Sequence, residues 1–499
     1  MRAAGLGTIT SPLISLKALG CDIASIERGT IALLPGELTN AMTSCAMPRS
    51  DGTAPDAAMR RGACPSLAKP MQTGDGLLVR LRPATGSMTL GELRALAAAA
   101  ERFGNGILEV TARGNLQVRG LTAVTVAGLA SAIGEAGIAI AEGVAIETPA
   151  LAGVDADEVV DPRPLARALR EAIAALDPPF TLAPKLSIII DGGGRAHLDD
   201  IVADLRLKAV KADDGVAWLL SLGGTARTAR SVALLDTRET IPSLLAVLGR
   251  LAAIGDSARG RDLDAEAIRN ELAGEERRPA RPTLETEPAT PVAGMHVVAD
   301  GVTVLGVGFA YAQADAASLT AFLRKAEELG ATEIRPAPGH GLFVLGLDRE
   351  AAATAQRLAS SLGLRIAPDD PRNHIATCAG TGACASALME TKVVARLMVE
   401  AAPELLDGSM TVHLSGCPKG CARPSSSELT LVGAPSGYAL VVNGTASVAP
   451  SAYTDANGIK TALAHLGALV RENKDAGESA RSCLTRLGVA RIAAAFEQG

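Results

Sequence analysis

Most of this chain is written twice. The segment DGLLVR (75–80) has a counterpart in DGVTVL (300–305), and each leads through a small-residue loop into an Ala/Leu-rich helical stretch: LGELRALAAAAERFG (90–104) and ASLTAFLRKAEELG (317–330). GNLQVRGL (114–121) answers to HGLFVLGL (340–347), PKLSIIIDGGG (184–194) to VHLSGCPKGC (412–421), and GVAWLLSLGGTA (215–226) to GYALVVNGTA (437–446). The offset stays at roughly 220 to 228 residues throughout, and a constant internal period outranks local signals. Between the copies, EERRPARPTLETEPATPVAG (275–294) has no apolar period and is expected to be a linker. The order strand, helix, strand pair, then helix and more strands predicts an α+β fold, internally duplicated with pseudo-twofold symmetry. The expected divisions are 59–145 and 146–274 in the first copy, and 295–365 and 366–499 in the second. Residues 1–58 show no sustained period of 2 or 3.6 and are expected to be poorly structured, with Met59 a candidate natural start.

Charge and composition exclude several function classes. A net charge of -6 with no basic tract argues against nucleic acid as the main partner. No apolar stretch reaches the ~18 residues of a membrane span, and the start has no convincing signal peptide, so a cytoplasmic protein is expected. Eight cysteines in 499 residues do not make a secreted disulfide scaffold. Cys21, Cys45, Cys64 and Cys483 are scattered without metal spacing and are expected to be buried or incidental thiols.

The other four cysteines are organised. Cys378 and Cys384 stand in TCAGTGAC, and Cys417 and Cys421 in SGCPKGC. Two pairs of soft thiolates in glycine-rich loops suit a 4Fe–4S cluster, because glycine lets backbone N–H groups approach the sulfurs. Structural zinc favours shorter hooks. A helix over 383–405 is expected to start at the Cys384 loop and turn its positive end to an anionic cluster, with a strand over 410–416 feeding the second loop. His413, alternating in that strand, is expected to be packed, and His374 is a weak candidate for a supporting role at the cluster.

The first copy carries a basic set. Arg80 and Arg82 alternate with apolar residues on one strand face, Arg113 and Arg119 flank a second strand region, and Lys185 precedes a third. Guanidinium groups bind carboxylates bidentately, so such a ring suits a polycarboxylated ligand. The second copy has Leu305 for Arg80, Val307 for Arg82 and Leu345 for Arg119. One copy keeps charge and the other keeps cysteines, which points to one composite site. No Gly-x-Gly-x-x-Gly follows a strand, so electrons would come from a partner protein.

These motifs, in this order, resemble the sulfite/nitrite reductase superfamily, over about residues 60–499. The most specific parts are the cysteine motif and TxRxxxQxRG (111–120), which adds Gln117 to the candidate ligand-binding residues. The resemblance implies two ferredoxin-like half-domains and two cluster-type α+β domains, with the cluster in the second. It also implies that Cys421 bridges the cluster to a sirohaem-type iron, and that Arg82, Arg113 and Lys185 hold macrocycle carboxylates or an anionic substrate. One departure matters: the superfamily's reductases carry a second lysine two residues after the first, and here that position is Ser187. Losing one charge-assisted contact weakens a small dianion by ~1.5–3 kcal/mol.

RRGACPSLAKPMQTGDGLLVRL (60–81) resembles the precorrin-3B synthases, the cobalamin-pathway branch of the superfamily. That implies an O2-dependent monooxygenase that hydroxylates precorrin-3A and closes a lactone. Its electrons would originate in NADH and arrive through a reductase or ferredoxin. The alternatives are a sirohaem-dependent nitrite or sulfite reductase and a non-enzymatic Fe–S redox sensor.

Overall fold

The computed structural model describes residues 65–213, 215–272 and 289–498. The expected extension 1–58, most of the expected linker, and Cys21, Cys45 and Cys64 lie outside the described residues.

Local sequence sets the first helix plainly. Leu90, Leu93, Leu96, Ala97 and Ala100 recur at helical spacing and are buried, and Thr89 and Glu92 form a reciprocal capping box at its start. The helix Leu90–Phe103 covers a sheet whose strands run Met71–Thr73, Gly76–Leu81, Leu116–Leu121, Ile107–Val110 and Gln313–Asp315 in spatial order. The second copy repeats this with Gly294–Ala299, Val302–Gly308, Gly341–Leu345 and Glu333–Ala337, covered by helix Ala316–Glu328.

Each copy closes an edge of the other. Gln313–Asp315 belongs to the second copy but pairs with Ile107–Val110 of the first. Reciprocally, Met88 bridges Ile334, with backbone hydrogen bonds of 2.8 Å in both directions. Side chains of both copies, Leu93 and Leu96 with Leu319 and Phe322 among them, merge into one hydrophobic core.

The two remaining sheets are topological twins. Ala145–Glu147, Ser187–Asp191, Ala203–Ala212, Gly215–Gly224 and Arg230–Asp236 form one; Ile375–Thr377, Val412–Ser415, Ser427–Ala434, Gly437–Gly444 and Ala452–Thr454 form the other. In both, the first two pairings are parallel and the last two antiparallel. The fold is therefore the duplicated α+β architecture expected.

The structure corrects the register of the repeat by one residue. The helix caps Thr89 and Asp315 are as far apart in sequence as Thr122 and Asp348, and the hairpin closures Thr73–Gly76 and Ala299–Val302 share that separation. The two-residue turns are Gly74-Asp75 and Asp300-Gly301, so matching the Asp-Gly dipeptides misplaced one copy. The counterparts of Arg80 and Arg82 are thus Gly306 and Gly308, not Leu305 and Val307; Leu345 still answers to Arg119. A Cβ on Gly308 would lie 2.7 Å from the Arg365 guanidinium carbon. A facing arginine therefore occupies the space that the first copy gives to a side chain on its own strand.

Helix formation beyond Cys384 also starts later than expected. Residues 384–389 are held in turns, with the Leu388 N–H on the Gly416 carbonyl at 2.7 Å and the Thr381 N–H on the Met389 carbonyl at 3.0 Å. The helix spans only Thr391–Ala401. Among the described residues, no helix is long and apolar enough to cross a membrane.

Candidate active site

The strands Ile375–Thr377 and Val412–Ser415 run parallel and side by side, so the loops after their C-terminal ends meet. Those loops carry Cys378 with Cys384, and Cys417 with Cys421. The Gly416 N–H donates to Cys378 Sγ at 3.1 Å, and Lys419 Nζ of the second loop donates to Ser386 Oγ of the first at 3.0 Å. No disulfide joins the four cysteines. Among the described residues, no three His, Cys, Asp or Glu side chains converge as a single ion would need. A cubane cluster instead takes one sulfur per iron. Two interleaved loops of soft thiols, with a glycine N–H already on one sulfur, fit that group.

The first cysteine pair is gripped from two sides. Thr391 Oγ1 and Lys392 Nζ both donate to the Cys378 carbonyl, at 2.8 and 2.5 Å. Burial pushes the Lys392 ammonium pKa down, against the pull of Glu109 and Cys378. On the other side, Arg119 donates to the Ala383 carbonyl at 2.5 Å while its fork holds Asp75 at 2.9 and 3.0 Å. A Cβ on Gly74 would stand 2.9 Å from the Cys384 backbone, so the turn beside Asp75 packs directly on the loop.

Arg119 leads into a row of buried and half-buried polar side chains across the first copy's sheet. Arg80, Gln117, Glu109 and Gln313 are cross-strand neighbours on four adjacent strands. Arg80 donates to Gln117 Oε1 at 2.6 and 2.9 Å. Gln117 and Gln313 each donate to Glu109 at 2.7 Å. The row joins the two copies and abuts the cysteine loops through Arg119.

A separate cleft, open to solvent, is lined by Arg82, Arg113, Arg163, Arg170 and Arg335 against Glu147 and Glu333. Both copies contribute to it. Arg113 is fixed by Glu147 and by the Val202 carbonyl at 2.7 Å, and Arg335 by Glu333 at 2.9 Å. Arginines outnumber carboxylates in the lining, and Arg163 has its carboxylate just outside it, on Asp161 at 2.8 Å.

The structure therefore divides the expected basic set. Arg82 and Arg113 line the cavity. Arg80, Gln117 and Arg119 do not; they form the row that braces the cysteine loops, and Arg119 is only 4% exposed. Lys185 is half-buried, its carbonyl taken by Arg259 at 3.1 Å, and is not among the lining residues. Ser187 is buried, with its N–H on Asp204 at 2.9 Å. Sequence reading missed Arg163, Arg170 and Arg335 at the cavity, and Asp75, Glu109 and Lys392 at the loops. A signal existed for two of these: Arg163 and Arg170 stand seven apart in a helical stretch, hence on one face.

His374 packs against Gly408 rather than the cysteine loops. Cys483 is buried, as expected of an incidental thiol. His413 is fully buried beneath Gly420, with neither ring nitrogen bonded. Burial, with Arg423 adding repulsion, pushes its pKa from 6.5 to about 4. Unfolded, the ring protonates as pH falls through 6.5; folded, it resists until about 4. Stability is therefore full above 6.5 and should fall by roughly 3 kcal/mol on descending to pH 4. Urea unfolding midpoints across this range should show that slope, and His413→Leu should flatten it.

Residues 69–136 match the model of the nitrite/sulfite reductase ferredoxin-like half domain. A precorrin-3B synthase from Sinorhizobium sp is 61% identical over 462 residues, 93% of this chain and 100% of that protein. A ferredoxin–nitrite reductase from Synechococcus elongatus is 24% identical over 396 residues, 72% of this chain and 76% of that one. The solved structure of the Mycobacterium tuberculosis NirA protein superposes with a TM-score of 0.64 at 19% identity, covering 83% of this chain and 84% of that one.

Proposed function

The chain belongs to the precorrin-3B synthase family, an enzyme family of cobalamin biosynthesis within the nitrite/sulfite reductase superfamily, and on that premise we propose that it oxidises precorrin-3A with O2. One oxygen atom enters the macrocycle as a hydroxyl and an acetate side chain closes a lactone. NADH, O2 and a proton are consumed, and NAD+ and water are released. The electrons reach the chain through a partner reductase or ferredoxin, and the reaction runs in the cytoplasm.

The observation that carries this reading is the arginine cavity. A tetrapyrrole studded with carboxylates is large, flat and multiply anionic, and a surplus of guanidiniums matches it. Arg82 and Arg113 bind its carboxylates, and Glu147 fixes the plane of the Arg113 fork. Cys378, Cys384, Cys417 and Cys421 hold the 4Fe–4S cluster, which supplies single electrons when bound. Arg119, Asp75 and Lys392 hold the first cysteine pair against the sheet of the first copy. The burial of Ser187 supports this reading over a small-anion reductase, because no second cation stands at that position.

Anaerobically reconstituted protein given precorrin-3A, reductant and isotopically labelled O2 should yield a hydroxylated lactone carrying one labelled oxygen. A sirohaem spectrum with nitrite or sulfite turnover, and no lactone, would overturn the proposal in favour of the reductase.

A further inference from the structure

We infer that Lys392 is the fixed counter-charge of the iron–sulfur cluster and raises its reduction potential; this rests on the cluster reading above. Its position is one that a cation occupies only at a cost. Lys392 is the second residue of helix Thr391–Ala401, where unpaired N–H groups carry partial positive charge and disfavour an ammonium. Glu390 before it makes no side-chain cap that would offset this. The side chain runs back over the helix start: Nζ donates to the Cys378 carbonyl at 2.5 Å and reaches the Ala379 carbonyl at 3.4 Å. Burial opposes the charge as well.

Among the described residues no carboxylate pairs with Lys392 Nζ. Arg119, by contrast, has Asp75 at 2.9 Å. The pulls that favour the charged lysine come from Glu109 and from Cys378. Glu109 is committed elsewhere: it accepts from Gln117 and Gln313 at 2.7 Å and faces Arg119 at 3.7 Å. That leaves the cysteine. A cluster held by four thiolates is anionic and becomes more so on reduction, so a cation on the backbone of one ligand favours the reduced form. One electron passes from the donor protein to the cluster, with no bond made or broken, and Lys392 makes that transfer more favourable. Thr391 Oγ1 clips the same carbonyl at 2.8 Å without charge, so the two residues separate holding the loop from setting the potential.

The test is a mediated redox titration of the full chain, reconstituted anaerobically with iron and sulfide and reduced by dithionite. The readout is the electron paramagnetic resonance signal of the reduced cluster. Lys392→Gln keeps a donor for the carbonyl and loses the charge. Its reduction equilibrium should shift about tenfold toward the oxidised form, ~59 mV more negative for a one-electron couple. Lys392→Arg should stay close to the wild type, and so should Thr391→Val, which removes the neutral clip alone. Iron-loaded Lys392→Gln with the wild-type potential, or an equal drop in Thr391→Val, would overturn the counter-charge while leaving the cluster reading intact. Wild-type protein that takes up no iron would overturn that reading, and the counter-charge with it. Should Lys392→Gln take up no iron, Lys392→Arg decides: a wild-type potential upholds the inference, and a lowered potential or no cluster overturns it.

Discussion

Cys378→Ser should leave the protein without its cluster: iron and acid-labile sulfide fall to background, visible absorbance disappears, and lactone formation drops by more than ~100-fold. Serine keeps the size of the side chain but exchanges a soft, readily ionised sulfur for a hard hydroxyl that suits iron–sulfur ligation poorly. Cys378 is chosen because its surroundings are the most committed of the four. The Gly416 N–H points at its sulfur, while Thr391 and Lys392 pin its carbonyl. Only the Gly416 contact involves the sulfur, and a serine hydroxyl can accept that N–H, so secondary structure and the unfolding midpoint should move little. Iron analysis and circular dichroism on the same sample separate the two effects. A variant that keeps full iron content would remove Cys378 from the ligand set.

Arg119→Met should cost about 3 kcal/mol of stability, because it takes the guanidinium from half-buried Asp75 and buried Glu109, leaving them only neutral donors. The same substitution releases the Ala383 carbonyl, so the Cys384 loop should loosen and cluster reconstitution should slow. Urea denaturation measures the first effect and the rate of iron uptake the second. Adding Asp75→Asn should recover part of the stability, since the stranded charge is removed. It should not restore iron uptake, because the clip on Ala383 stays broken. If the single variant were as stable as the wild type, the Asp75–Arg119 pair would not be the brace described above.

The fold was legible because the duplication repeats whole elements, and matching pairs of strands and helices survive a one-residue error. That error arose at Asp75 and Asp300, where identical dipeptides occupy different places in two equivalent hairpin turns. That the two cysteine loops meet was legible for a similar reason, since four thiols in two short hooks stand out by spacing alone. The arginines were only half legible. Arg80 and Arg82 share a strand face, but the backbone leaves the strand at Leu81, so Arg82 enters the cavity while Arg80 turns to Gln117. Nothing local marks Arg335 as a cavity residue, because its place depends on the other copy packing across it. The helix after Cys384 failed for a third reason: turns tied to Gly416, a long-range contact, delay a stretch whose own composition is helical.

The reciprocal loan of edges between the copies has a consequence for how such a chain could diverge. Met88 and Gln313–Asp315 each shield the raw margin of the other copy's sheet. A lone copy would present that margin to any passing strand and would invite aggregation. Neither half can therefore be discarded, however far its own chemistry decays. That mutual custody lets the two halves diverge, cysteine loops kept in one and Arg80 and Arg82 in the other, while the pair persists as a single heritable unit.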